Sequence, residues 1–182
     1  MPRLTETLRT ADQDTKPNYL IALSGLLRWL PYSILEPSLH TLVAPLLQTL
    51  DLSSPAEQDL KASTLTIFEA VLMQNAKLLA EHTASLISRL LNSTDAKAKP
   101  AESKTGSNDG KIGANSAKVR ASALQCLALV PKQLPREKVV PYRRQVVKRL
   151  MACLDDGKRS VRGEAVKCRT AWLALEEAEE EE

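Results

Sequence analysis

The sequence predicts an all-α protein built from stacked helical hairpins, and three observations carry that prediction. Apolar residues, leucine above all, recur at helical spacing through most of the chain. Aromatic residues make up only 3% of a chain that is 43% apolar, which suits helix packing better than a β-sandwich. The same helix design also returns along the chain. Tyr142 to Trp172 reads as two amphipathic helices folded across the tight link Leu154-Asp155-Asp156-Gly157, and weaker copies precede it.

Taken in order, Met1 to Lys16 is polar, with only Leu4 and Leu8 as large apolar residues, and reads as a leader or the remnant of an earlier helix. Pro17 opens a first helix with Leu23, Leu26 and Leu30 on its stripe, and Pro31 ends it. After the turn PYSILEP, a second helix spans Ser38 to Leu50 on Leu39, Leu42, Leu46 and Leu50, with a kink expected at Pro45. A third runs from Pro55 to about Met73 behind the cap candidates Ser53 and Ser54, its stripe made by Leu60, Leu65, Phe68 and Leu72. A fourth follows from Asn75 to Leu91. Ser93 to Asn115 then reads as a flexible polar loop, since Ile112 is its only large apolar residue. Helix five spans Ser116 to Val130, helix six about Lys138 to Leu154, and helix seven Lys158 to about Leu175, running into an acidic tail over 176–182.

Aligning the odd-numbered helices gives a repeat. Ala22, Thr64, Ala123 and Ala165 fall in equivalent places at intervals of 42, 59 and 42 residues, and the polar loop lies inside the longer interval. Positions three, four and seven after this register hold Gly25, Ile67, Cys126 and Cys168; Leu26, Phe68, Leu127 and Arg169; and Trp29, Val71, Val130 and Trp172. Those offsets mark one helix face. A hairpin unit of this length falls in the range of HEAT or armadillo repeats, in which stacking makes the core. The count is three hairpins plus a capping helix in an α-solenoid, taken as one domain over 1–182. Arg162 recurs as Arg120 and, more loosely, Lys61, while Asp155 recurs as Asp51; such bases and acids can bridge neighbouring units, as surface pairs worth about 0–1 kcal/mol each.

Composition narrows the function. A net charge of +3 hides a basic block, with twelve Lys and Arg against four Asp and Glu between Lys132 and Arg169. Three cysteines without ligand spacing argue against a disulfide framework, and no run of 18 apolar residues is present to span a bilayer, so a soluble intracellular protein is expected. His40 and His82 occupy equivalent positions on successive helices, too far apart for one metal. Cys126 and Cys168 share an apolar register and read as small core hydrophobes. Asp155 and Asp156 read as a turn and N-cap rather than an acid–base pair. No nucleophile elbow, P-loop or dinucleotide fingerprint occurs. Neither an enzyme nor a bound cofactor or metal is expected.

The candidate contact residues are therefore Arg144, Lys148 and Arg149 on helix six, with Lys158, Arg159 and Arg162 at the start of helix seven. A solvated basic face, a protein-docking patch and a nucleic-acid contact all fit this cluster. The third is weakened by the lack of interleaved aromatics, Tyr142 alone being adjacent.

PYRRQVVKRLMACLDDGKRSVRGEAVKCRTAW, with its Tyr-x-x-x-Val-x-x-x-Leu helix, its Leu154-Asp155-Asp156-x-Lys158-Arg159-x-Val161-Arg162 link, and Glu164-Ala165-Val166 followed by Trp172, resembles the extreme C-terminus of the MMS nineteen protein family. NYLIALSGLLRWLP and LHTLVAPLLQTL are compatible with the preceding HEAT units of that family. The resemblance implies a scaffold of the cytosolic iron-sulfur protein assembly targeting complex, found in cytoplasm and nucleus, of whose longer solenoid this chain would be the C-terminal part. Its C-terminal repeats would dock a WD-repeat propeller and a small subunit, and serve apoprotein clients of DNA repair, replication and transcription. A HEAT module contacting nucleic acid directly and a generic armadillo-like transport adaptor are the alternatives.

Overall fold

A computed structural model describes residues 15–27, 29–52, 57–96 and 115–177. Ser53 to Pro55, most of the polar insert, residues 1–14 of the leader and residues 178–182 of the tail lie outside the described residues. The main helices are α1 (Lys16–Leu27), α2 (Leu39–Thr49), α3 (Gln58–Asn75), α4 (Thr83–Ser93), α5 (Ala117–Gln133), α6 (Arg143–Leu154) and α7 (Arg159–Glu177). No strand occurs among the described residues. α1–α2, α3–α4 and α5–α6 are successive hairpins, α7 closes the stack against α5 and α6, and the molecule is an α-solenoid.

Helix boundaries depart from the periodic pattern within the hairpins. Pro31 and Pro135 each cap a one-turn helix, Tyr32–Leu35 and Arg136–Val139, and each turn leads into a 3-10 segment, Glu36–Ser38 or Val140–Tyr142. Pro37 and Pro141 sit in the first positions of those segments, where a missing N–H leaves no helical bond unmade. What reads as one helix from Lys138 is therefore a short turn followed by α6. The middle hairpin makes the same connection with a 3-10 stretch, Ala76–His82. Leu35, Leu79 and Val139 anchor the three connections in the core.

Two prolines lie inside long helices. α2 runs through Pro45, which withdraws the amide partner of the carbonyl of Thr41, an exposed residue. α5 runs through Pro131 to Gln133, beyond the predicted end at Val130. Pro131 cannot donate to Leu127 O, and the indole Nε1–H of Trp172 donates there instead, at 2.8 Å. The buried carbonyl freed by the proline is thus satisfied from the next unit. Ser116 caps α5, its Oγ accepting from Val119 N–H at 3.3 Å.

The repeat register holds in the interior and opens at the ends. Thr64, Ala123 and Ala165 are buried, as are Phe68, Leu127, Val71, Val130 and Trp172 on the same face. Thr64 satisfies its hydroxyl by donating to Leu60 O and accepting from Thr49 Oγ1. At the first unit the corresponding Leu26 on α1 and Trp29 just beyond it are exposed, while Leu20, Leu23 and Leu27 are buried. At the other end Val166, at the register of the buried Leu65 and Leu124, is 55% exposed. In the interior, α3 packs between α1 and α5, and α5 between α3 and α7.

Ion pairs tie consecutive hairpins along the surface. Arg89 reaches Asp51 at 2.9 Å, Arg149 reaches Asp95 at 2.9 Å, and Lys138 reaches Glu81 at 2.6 Å. Arg89→Ala is expected to lower the stability measured by urea denaturation by no more than about 1 kcal/mol, because its partner Asp51 is half exposed.

Candidate functional site

The links that join one hairpin to the next lie along one edge of the stack, and a base on each following helix organises them. Lys61, Arg120 and Arg162 occupy the same register, three residues before Thr64, Ala123 and Ala165. Lys61 Nζ donates to Leu52 O at 3.3 Å and to Asn115 Oδ1 at 3.0 Å. Arg120 donates from Nη1 to Asn115 O at 2.5 Å, and from Nε and Nη2 to the two Asp156 oxygens at 2.8 and 3.0 Å. Arg162 Nη1 donates to Asp156 O at 2.7 Å. Asn115 Nδ2 closes the edge with bonds to Asn92 O and Asp95 O.

This arrangement corrects two expectations about the bridging charges. The acid that meets Arg120 is Asp156, while Asp155 is exposed; and the pair is buried, its side chains 10% and 3% exposed, so it is no surface pair. Burial alone would raise the Asp156 carboxyl, but hydrogen bonds from Arg120 and the Lys158 N–H, with the charges of Arg120 and Arg162, hold it below its ordinary value. Burial likewise pushes the Lys61 ammonium down against the opposing charges of Asp51 and Glu57. The bridge predicted at Asp51 does form, with Arg89.

Two ends of the polar insert belong to this edge. Ser93 is the last residue of α4 and is buried, and Asn115 is fixed by the bonds above. Neither Asn115 nor Asp156 stands out in the sequence as a ladder residue. The signal lies in the spacing: each precedes its arginine, Arg120 or Arg162, by five or six residues.

The six candidate contact residues separate into different environments. Arg144 and Lys148 are exposed one turn apart on α6. Lys158 and Arg159 are exposed where α7 begins, at the other end of α6, with Arg144 roughly 15 Å of helix rise from the link. Arg162 is half-buried at the edge of that cluster. Arg149 is also half-buried, with Nη2 donating to Asp95 Oδ1 at 2.9 Å, so it fastens α6 to the preceding hairpin. The surface is a basic strip in two patches.

Other chemistry-bearing groups are placed in the core or apart. Cys126 and Cys168 are fully buried, and burial pushes both thiols far up; Cys126 Sγ donates to Leu65 O at 3.2 Å. Cys153 is buried at the end of α6, its thiol also raised by burial. His40 is exposed and His82 half-buried. No group of three or more metal-ligating side chains gathers among the described residues, and none of the described helices is long and apolar enough to cross a membrane. A cleft of about 250 Å³, lined mainly by Leu27, Leu30, Tyr32, Leu35, Ile67 and Ala70, separates α1 from α3.

Fold and surface define a helical-repeat protein with a rigidly bridged stack and a basic strip on its last hairpin. A family model described as "RNAPII transcription regulator C-terminal", that of the MMS19 C-terminal region, matches residues 1–131. The chain is 37% identical to the MMS19 nucleotide excision repair protein homolog of Xenopus tropicalis, over 96% of this chain and 15% of that protein. It is 34% identical to the human homolog over the same shares, and 32% identical to the DNA repair/transcription protein mms19 of Schizosaccharomyces pombe over 94% of this chain and 15% of that protein. The chain belongs to the MMS19 family. It spans about 15% of the length of these relatives.

Proposed function

We propose that this chain is a non-catalytic HEAT-repeat scaffold of the cytosolic iron-sulfur protein assembly targeting complex. It docks a WD-repeat propeller subunit, a small subunit and apoprotein clients of DNA repair, replication and transcription, in cytoplasm and nucleus. The observation that carries the reading is the alignment of nearly the whole chain with relatives named for excision repair and transcription. The iron-sulfur role comes from the family resemblance of Tyr142 to Trp172. A stack whose hairpins are bridged at every link supports it physically, because a rigid scaffold loses little freedom on binding.

Within the strip, Arg144 and Lys148 are the charges most open to a partner, joined by Lys158 and Arg159. The Arg144→Glu/Lys148→Glu chain is expected to keep its helicity and to lose co-elution with the purified targeting subunits on gel filtration, in a salt-sensitive manner. Equal co-elution of variant and wild type would remove these residues from the interface. Arg149→Glu is a poorer probe, since it also breaks the bridge to Asp95.

A HEAT module that contacts nucleic acid directly is the competing reading, favoured by the relatives' repair and transcription names. Labelled duplex and single-stranded DNA titrated at several salt concentrations separate the two. The scaffold reading expects no binding tighter than the non-specific range, roughly 10⁻⁴ to 10⁻⁶ M near physiological salt.

A further inference from the structure

We infer that the cleft between α1 and α3 binds an extended protein segment through one aliphatic side chain and the main-chain amide beside it, with the Tyr32 hydroxyl donating to the amide carbonyl. The inference is independent of the docking reading above, since the cleft lies between the first two hairpins and the basic strip on the last.

Tyr32 opens the one-turn helix behind Pro31, its ring packed on the core and its Oη buried without a hydrogen-bond partner among the described residues. A buried hydroxyl in that condition is costly, so a ligand that brings an acceptor to it is favoured. Arg136 holds the same place behind Pro135, and its Nη2 donates at 2.7 Å to Leu175 O, a main-chain carbonyl of the next stacked helix. Tyr32 finds no such carbonyl on α3. Where Arg136 ties its connection to α7, the corresponding groove between α1 and α3 is a cleft of about 250 Å³. The acceptor taken at the sister junction is main chain, and that is the acceptor Tyr32 lacks.

The lining says what fits. Leu27, Leu35 and Ile67 make it largely apolar. An apolar cavity of roughly 150 Å³ holds a benzene, so this cleft has room for a branched aliphatic side chain with a peptide unit. Ser63 and Thr66 line it from α3, and both have spent their hydroxyl hydrogens within that helix, on Asp59 O and Ala62 O. Their oxygens are left to accept. One donor facing two acceptors in an apolar setting is the complement of a secondary amide. No charged side chain lines the cleft among the described residues. Burial first, and then the charge of Glu36, raise the Tyr32 phenol, so it remains a donor at neutral pH and an anionic ligand is repelled. A fatty acid or a phosphate is disfavoured on that ground, and an uncharged peptide unit is not.

The test is a titration of the isotope-labelled full chain followed by NMR. The peptide acetyl-Ala-Leu-Ala-amide and the fragment N-methylisovaleramide are both expected to shift the resonances of Tyr32, Thr66 and Ala70, the peptide at lower concentration. Tyr32→Phe keeps the ring, removes the donor, and is expected to weaken both by about two- to tenfold. Methyl isovalerate, which lacks the amide N–H, and isovalerate, which carries a charge, are expected to bind more weakly than the amide. Ala70→Leu, which fills the cleft, is expected to abolish the shifts, with circular dichroism confirming the fold. Equal affinity in Tyr32→Phe and wild type, or for amide and ester, overturns the amide site and leaves an unselective apolar crevice. Tighter binding of the fragment than of the peptide overturns the segment in favour of a free small ligand, and preference for isovalerate overturns the charge argument. Absence of shifts at these residues with either probe removes the inference and leaves the docking reading standing.

Discussion

Asp156→Ala is expected to destabilise the chain by about 3–5 kcal/mol, measured by urea denaturation, because it leaves the Arg120 guanidinium buried and without its carboxylate. Two further losses accompany it: the Lys158 N–H loses its acceptor, and the link that joins α6 to α7, whose Asp156 carbonyl accepts from Arg162, loses part of what fixes its shape. Replacing both partners, as Arg120→Met with Asp156→Leu, is expected to recover much of the loss, since a buried pair contributes little beyond what its own desolvation costs. The same carboxylate sets an acid dependence. Its folded value lies below its unfolded one of about 4, so its contribution is complete above that pH and is lost as pH falls through the folded value. Asp156→Asn is expected to give a shallower loss of stability below about pH 4 than the wild type.

Trp172→Ala is expected to cost about 3–5 kcal/mol through the loss of the largest fully buried side chain, which joins α7 to α5. Trp172→Phe isolates the polar part of that effect. It retains a ring and removes the Nε1–H that Leu127 O accepts, leaving a buried carbonyl unsatisfied at about 1–3 kcal/mol. Pro131→Ala restores an amide at the position from which an uninterrupted helix would serve Leu127 O. In that background Trp172→Phe is expected to cost clearly less, and a double-mutant cycle by thermal unfolding measures the difference. Equal costs in both backgrounds would show that the indole bond does not compensate for the proline.

Helical periodicity made the seven main helices and their stacking legible, because burial at a fixed register leaves its mark on every turn. Thr64, Ala123 and Ala165 mark that register in the structure as in the sequence. The hairpin connections were less legible, since one-turn and 3-10 segments are too short to show a period. Their trace is the recurring pair of prolines, Pro31 with Pro37 and Pro135 with Pro141. The persistence of α5 beyond Val130 was hidden because its cause, Trp172, lies 41 residues after Pro131 in the chain.

The contact surface was legible as charge and illegible as geometry. Arg149 looks like Arg144 and Lys148 in sequence, yet only Arg149 has Asp95 within reach. Adjacent Asp155 and Asp156 look interchangeable, and the turn of the link sends one into water and the other onto Arg120. Family membership shows a related division: the matching model covers residues 1–131, whereas the residues that first suggested the family lie in Tyr142 to Trp172.

The claim that this stack works by docking proteins meets its most direct test in affinity purification of the chain followed by mass spectrometry of its partners, alongside the Arg144→Glu/Lys148→Glu variant. The scaffold account predicts that the propeller and small subunits of the iron-sulfur targeting complex, with iron-sulfur apoproteins, are recovered by the wild type and depleted from the variant. Recovery of transport carriers and cargo without iron-sulfur proteins, or of partners held only through nuclease-sensitive nucleic acid, would contradict it.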